Sequence, residues 1–90
     1  MIYKVGYTRR AQKQLDGLPA NIRSAIYDAV VALAQNPRPP GCRKLHGEES
    51  WRIRVGDYRA IYDIDDPAGT VTVTRIAHRS TVYRIIFLFL

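Results

Sequence analysis

The stretch Trp51 to Asp63, WRIRVGDYRAIYD, most limits what this chain can fold into. Two apolar/polar alternations, Trp51 to Val55 and Tyr58 to Ile64, flank Gly56-Asp57. Glycine at the first position of a two-residue turn supplies the positive φ that a tight hairpin requires. The spacing predicts a β-hairpin with Val55 opposite Tyr58, Arg54 opposite Arg59, Ile53 opposite Ala60, Arg52 opposite Ile61 and Trp51 opposite Tyr62. Side chains alternate faces with period two, so Trp51, Ile53, Val55, Tyr58, Ala60 and Tyr62 share one face. Arg52, Arg54 and Arg59 share the other. Like charges directly opposite on neighbouring strands cost about 0.2–1 kcal/mol. The trio is therefore expected to serve a bound polyanion rather than folding.

The remaining segments arrange themselves around this hairpin. Ile2 to Tyr7 alternates and predicts a short strand. Thr8 is placed to cap a helix in which Ala11, Leu15 and Leu18 face inward while Arg9, Arg10, Lys13 and Gln14 face water, with Gly17 and Pro19 marking its end. Ile22, Ile26, Ala29, Val30 and Leu33 form the stripe of a second helix, Ala20 to Gln35, stopped by Asn36-Pro37. Residues 37–44, PRPPGCRK, are too rich in proline and glycine for a regular element and predict a loop. Gly47 to Ser50 is a turn or bulge, Asp65 to Gly69 a turn, and Thr70 to Ala77 a β-branched strand. In an unbroken register Val71, Val73 and Arg75 point to the core, unless a bulge intervenes, and His78 joins the side of Arg52, Arg54 and Arg59. The expected fold is α+β: one domain, 1–90, with a helical hairpin packed on one face of a small, mostly antiparallel twisted sheet in the order β-α-α-β-β-β, and function on the open face.

Composition narrows the partners. Lys plus Arg number 14 against 8 Asp plus Glu, a formal charge of +6 that favours nucleic acid, an acidic protein or an anionic surface. One cysteine, Cys42, makes no internal disulfide, and the start MIYKVGYTRR has no apolar signal-peptide core. The apolar end VYRIIFLFL is about half the ~20 residues that a spanning helix needs. A soluble cytoplasmic protein without a membrane role is expected. Two histidines and one cysteine, widely separated, give no metal-ligand spacing, so no metal or other cofactor is expected, and His46 and Cys42 carry no chemistry.

The strings Lys44-Leu45-His46-Gly47, Trp51 to Arg59, Ile61 to Asp66 and Ala77-His78-Arg79-Ser80-Thr81-Val82-Tyr83-Arg84 resemble the RelE/ParE superfamily of toxins, in its RelE-like branch. The resemblance spans most of the chain, and the pairing of G-D-Y-R with H-R-x-x-V-Y is its most specific part. It implies a toxin of a type II toxin–antitoxin pair, an mRNA endonuclease (mRNA interferase) that cuts message in the ribosomal A site and inhibits translation. It implies cleavage without metal, a cognate antitoxin in a hetero-oligomer, and the ribosome as a further partner. Arg52 and Arg54 stand where the family has basic strand residues, Arg59 where it has a phosphate-binding arginine, and Tyr83 where it has a catalytic tyrosine. A further catalytic arginine aligns with either His78 or Arg79, and Arg43 and Lys44 join the RNA-binding set. Arginines replace the family's lysines on the second strand and stay protonated, so neither Arg52 nor Arg54 serves as a base. The chain ends seven residues after Tyr83, leaving the family's terminal helix short or absent.

The reaction needs a base for the 2′-hydroxyl, positive charge on the phosphate and a proton for the leaving oxygen. Arg59 and Arg54 can supply the charge, since guanidinium forks match phosphate oxygens. Tyr83 can act as base where cations stabilise its phenolate, stack on an RNA base, or simply pack as one of six tyrosines. His78 can donate the proton or be structural. The competing functions are a ParE-like gyrase inhibitor of the same fold without nuclease activity, and a non-catalytic RNA-binding relative. The uncharged tail after Arg84 packs on the core or is covered by the antitoxin.

Overall fold

The hairpin forms in the expected register, from Ser50 opposite Asp63 to Val55 opposite Tyr58. Gly56 takes φ 59°, while no non-glycine residue among those described has positive φ, so only the first turn position needs glycine's freedom. The computed structural model describes residues 2–45 and 50–82. Their elements are β1 Lys4–Tyr7, α1 Arg9–Asp16, α2 Ala20–Ala32, β2 Arg43–Lys44, β3 Ser50–Val55, β4 Tyr58–Asp65 and β5 Thr70–His78. The sheet order is β1-β5-β4-β3-β2, antiparallel except for the parallel pair β1 and β5. His46, the turn expected from Gly47, Tyr83 and the apolar tail beyond Val82 lie outside the described residues.

The core lies between the helical hairpin and one sheet face. Ala11 and Leu15 of α1 and Ile26 and Val30 of α2 pack with Ile53, Ala60, Tyr62, Val71, Val73 and Ile76, the face that the hairpin alternation predicts. Thr8 caps α1, its Oγ1 accepting from the Ala11 N–H at 3.2 Å. Gln14 departs from its expected place in water: its Oε1 accepts the Ile76 N–H at 2.7 Å, which seals part of the β5 edge against α1. The loop after α2 also holds an unexpected element, because Arg43 and Lys44 pair with Arg52 and Trp51 as the edge strand β2. Two residues between prolines and a turn leave too little pattern for a strand to be read.

A bulge in β5 overturns the straight register. Tyr62 pairs with Val73 but Ile61 pairs with Arg75, which leaves Thr74 extra. One inserted residue exchanges faces for all that follow. Ile76 thereby enters the core at 3% exposure, and Arg75 leaves it.

A polar clamp fixes the 36–45 loop to the sheet. Buried Tyr62 donates to the Pro37 carbonyl at 2.7 Å. Asp66 accepts two bonds from Arg38, at 3.3 and 2.9 Å, and one from Tyr3 at 2.6 Å, while the Arg38 guanidinium lies 5.1 Å over the Trp51 ring. Tyr62→Phe leaves the buried Pro37 carbonyl unsatisfied and is expected to lower stability by about 1–3 kcal/mol in urea unfolding. Arg38, and then Tyr3, hold the Asp66 carboxyl below its ordinary range. A lowered folded pKa gives stability that is present above the unfolded value of about 3.9 and is lost as pH falls through the folded one. The stability deficit of Asp66→Asn at neutral pH is therefore expected to narrow below about pH 4, as denaturant midpoints measured across pH will report.

Candidate nucleic-acid interface

Register pairs share a face, so the arginines can be traced strand by strand. Arg43 of β2 lies opposite Arg52 of β3, which lies opposite Ile61 of β4, which lies opposite Arg75 of β5. The next row runs Arg54, Arg59, Ala77. All five arginines thus occupy the sheet face turned from the helices. Lys44 does not, because it pairs with Trp51 on the helical side of the edge.

This face is not uniformly open. Arg43 and Arg54 are exposed, but Arg52 is 8% exposed, Arg59 1% and Ile61 6%, and Ile61 belongs to no part of the helical-face core. Alternation reports which face a side chain takes, not what covers it. The Arg59 Nη1 donates to the Gly56 carbonyl at 3.0 Å and to the Tyr58 carbonyl at 2.8 Å. Its head is drawn along the strand to the turn, which relieves its opposition to Arg54 and gives it a part in folding that the charge argument had denied it. The Arg54 side chain makes no hydrogen bond or ion pair to another described residue.

The turn also gathers residues from the end of β5. The Asp57 carbonyl accepts the Arg79 N–H at 2.7 Å, and the Asp57 carboxylate lies 3.9 Å from Arg79 Nε. Both side chains are more than half exposed, so this ion pair contributes little and is easily exchanged for another anion. His78 is displaced from its expected side. The bulge sets it opposite Tyr58, ring centroids 5.5 Å apart and edge-on, with Nδ1 3.0 Å from Ser80 Oγ. Arg59 and Arg79 are thus brought together at one turn with Arg54 beside them, while His78 lies around the sheet end and Tyr83 lies outside the described residues.

Arg75 is the residue that pattern reading missed. Its signal was present: a charged side chain in a core register asks for a bulge. No three His, Cys, Asp or Glu side chains cluster as metal ligands among the described residues, and no described helix is long and apolar enough to cross a membrane.

The helical hairpin behind a five-stranded sheet is a toxin fold, and the chain belongs to the family described as ParE toxin of type II toxin–antitoxin systems, parDE, whose pattern matches residues 5–83. Within it the chain is 36% identical over 88 residues to toxin RelG of Mycobacterium tuberculosis, covering 93% of this chain and 99% of that one. It is 38% identical over 87 residues to toxin RelE of the same organism, covering 92% and 88%. The fold superposes with TM-score 0.79 on the toxin–antitoxin complex RelBE2 of M. tuberculosis, at 31% identity over 89% of this chain and 94% of that one. The expected superfamily and its α+β fold are therefore both observed.

The burial contrast between opposite arginines yields a test. Arg59→Ala removes a buried cation's bonds to two carbonyls and is expected to lower stability by about 1.5–3 kcal/mol. Arg54→Ala, at the exposed partner position, is expected to stay within about 0.5 kcal/mol of the parent in the same denaturant titration.

Proposed function

We propose that this toxin is a RelE-type endoribonuclease that cuts mRNA during translation. What supports the reading is the gathering of Arg59 and Arg79 at the Gly56-Asp57 turn beside exposed Arg54. Arginine forks suit phosphate oxygens, and a phosphate can take the place of the Asp57 carboxylate on Arg79 at small cost. Arg59, its charge withdrawn from solvent, acts more strongly on a nearby anion than an exposed cation does. The named RelG and RelE relatives favour this reading over gyrase inhibition, the alternative that the ParE family description raises.

In the proposed reaction the ribose 2′-oxygen forms a bond to the adjacent phosphorus as the bond to the 5′-oxygen breaks. A base takes the 2′-hydroxyl proton, and the leaving oxygen gains one, giving a cyclic phosphate and a free 5′-hydroxyl. Arg54 and Arg79 bind the phosphate and stabilise its developing charge, Arg59 supports them from within the sheet, and Tyr83 serves as the base through the family resemblance. Arg43 and Arg52 continue the basic row toward the neighbouring nucleotides. His78, on the other side of the sheet end, takes no part in the proton transfers. A cognate antitoxin of acidic character neutralises the toxin by covering this face, as a hetero-oligomer in the cytoplasm, and the ribosome presents the message.

Primer extension on mRNA from cells inducing the toxin tests the reading. Cuts inside translated codons are expected, with Arg54→Ala and Arg79→Ala each reducing cleavage at least tenfold, Tyr83→Phe abolishing it and His78→Ala leaving it within about threefold. Intact message together with a DNA-damage response would falsify the ribonuclease in favour of gyrase inhibition.

A further inference from the structure

The bulge at Thr74 turns Arg75 to the basic side, in the part of β5 beyond its pairing with β1, and α1 is tied to that part of the strand. Thr8 fixes one end of the helix, its N–H donating to the Val73 carbonyl at 2.9 Å and its Oγ1 to the Thr74 carbonyl at 3.4 Å. Gln14 fixes the other through Ile76. Arg10, itself exposed, lies between these anchors, four residues and so about one helical turn before Gln14. Arg10 and Arg75 are thus brought to the same stretch of the β5 edge by hydrogen bonds that involve neither guanidinium.

The pair is costly without an anion. Arg75 is half-buried, and its Nε is withdrawn from solvent with no hydrogen-bond partner among the described residues. Burial, and then the charge of Arg10, push its pKa below the ordinary arginine value. A buried donor left unmade and a like charge beside it both favour an incoming acceptor.

We infer that Arg10 and Arg75 form a phosphate subsite for single-stranded RNA, beyond the turn where the scissile phosphate binds. The inference rests on the ribonuclease reading and extends its track across the sheet. Arg43 and Arg75 stand at the two ends of one transverse row spanning three strand spacings, roughly 14 Å, with Arg52 and Ile61 buried between them. A polynucleotide presents a negative charge at every residue along such a row, whereas an acidic peptide must match it with carboxylates at suitable intervals. RNA is therefore the occupant that the geometry favours.

The test is fluorescence anisotropy of the full chain with a short fluorescein-labelled single-stranded RNA, 2′-O-methylated so that it stays uncut, titrated over a range of salt. Arg75→Gln and, independently, the exposed Arg10→Gln are each expected to weaken binding about three- to tenfold and to flatten the salt dependence by about 0.7 in log–log slope. Arg9→Gln, on the same helix but outside the pair, is expected to change neither. Unaltered urea midpoints separate a lost contact from a lost fold, and Arg10→Gln keeps the test decisive if Arg75→Gln destabilises. If Arg54→Gln weakens binding while the Arg10 and Arg75 variants do not, the subsite is wrong and the ribonuclease reading stands. If no variant alters RNA binding, Arg54→Gln included, that reading fails as well. Retained RNA affinity with weakened antitoxin affinity in the Arg10 and Arg75 variants assigns the pair to protein contacts and overturns the proposal.

Discussion

Everything on the arginine face depends on the phase of side-chain alternation along three strands. The two-residue turn at Gly56 sets that phase for β3 and β4, and it cannot slip by one without exchanging the core for the charged face. The bulge at Thr74 sets it again for the second half of β5. Two backbone irregularities, one turn and one extra residue, thus decide which side chains meet the helices and which face away from them.

The same backbone makes the arginines unequal. Arg54 stands in solvent, while Arg59 is buried and bound to the carbonyls of Gly56 and Tyr58 at the turn. An arginine that both holds a turn and lends charge couples the stability of the toxin to its electrostatics. Loss of toxicity on replacing Arg59 therefore reports two effects together, and the exposed Arg54 and Arg79 separate them. Charged residues that look like pure ligand sites in a strand alternation can be structural first.

The hairpin, its pairing, the Thr8 cap and the helical stripes were all legible, because each follows from a short-range rule acting on neighbouring residues. The family motifs carried the function class further than alternation alone. What was not legible came from tertiary context. Gln14 reads as a polar surface residue until a strand edge with an unmet N–H lies beside its helix. Arg43 and Lys44 carry no strand signal of their own and pair only because β3 offers an edge. His78 was assigned by counting from Val73, and one inserted residue put the count wrong while bringing Arg75 to the basic side.

The parallel pair at the sheet edge has a kinetic consequence. β1 pairs from Lys4 with Thr70, so the first of the described strands docks on the last of them. A growing chain leaving its own ribosome can form the hairpin and the helices early, but it cannot close the sheet or seat β1 until β5 has emerged. Arg75 therefore joins the arginines of the hairpin only when β5 docks, so the basic face is completed later than the turn that carries most of it.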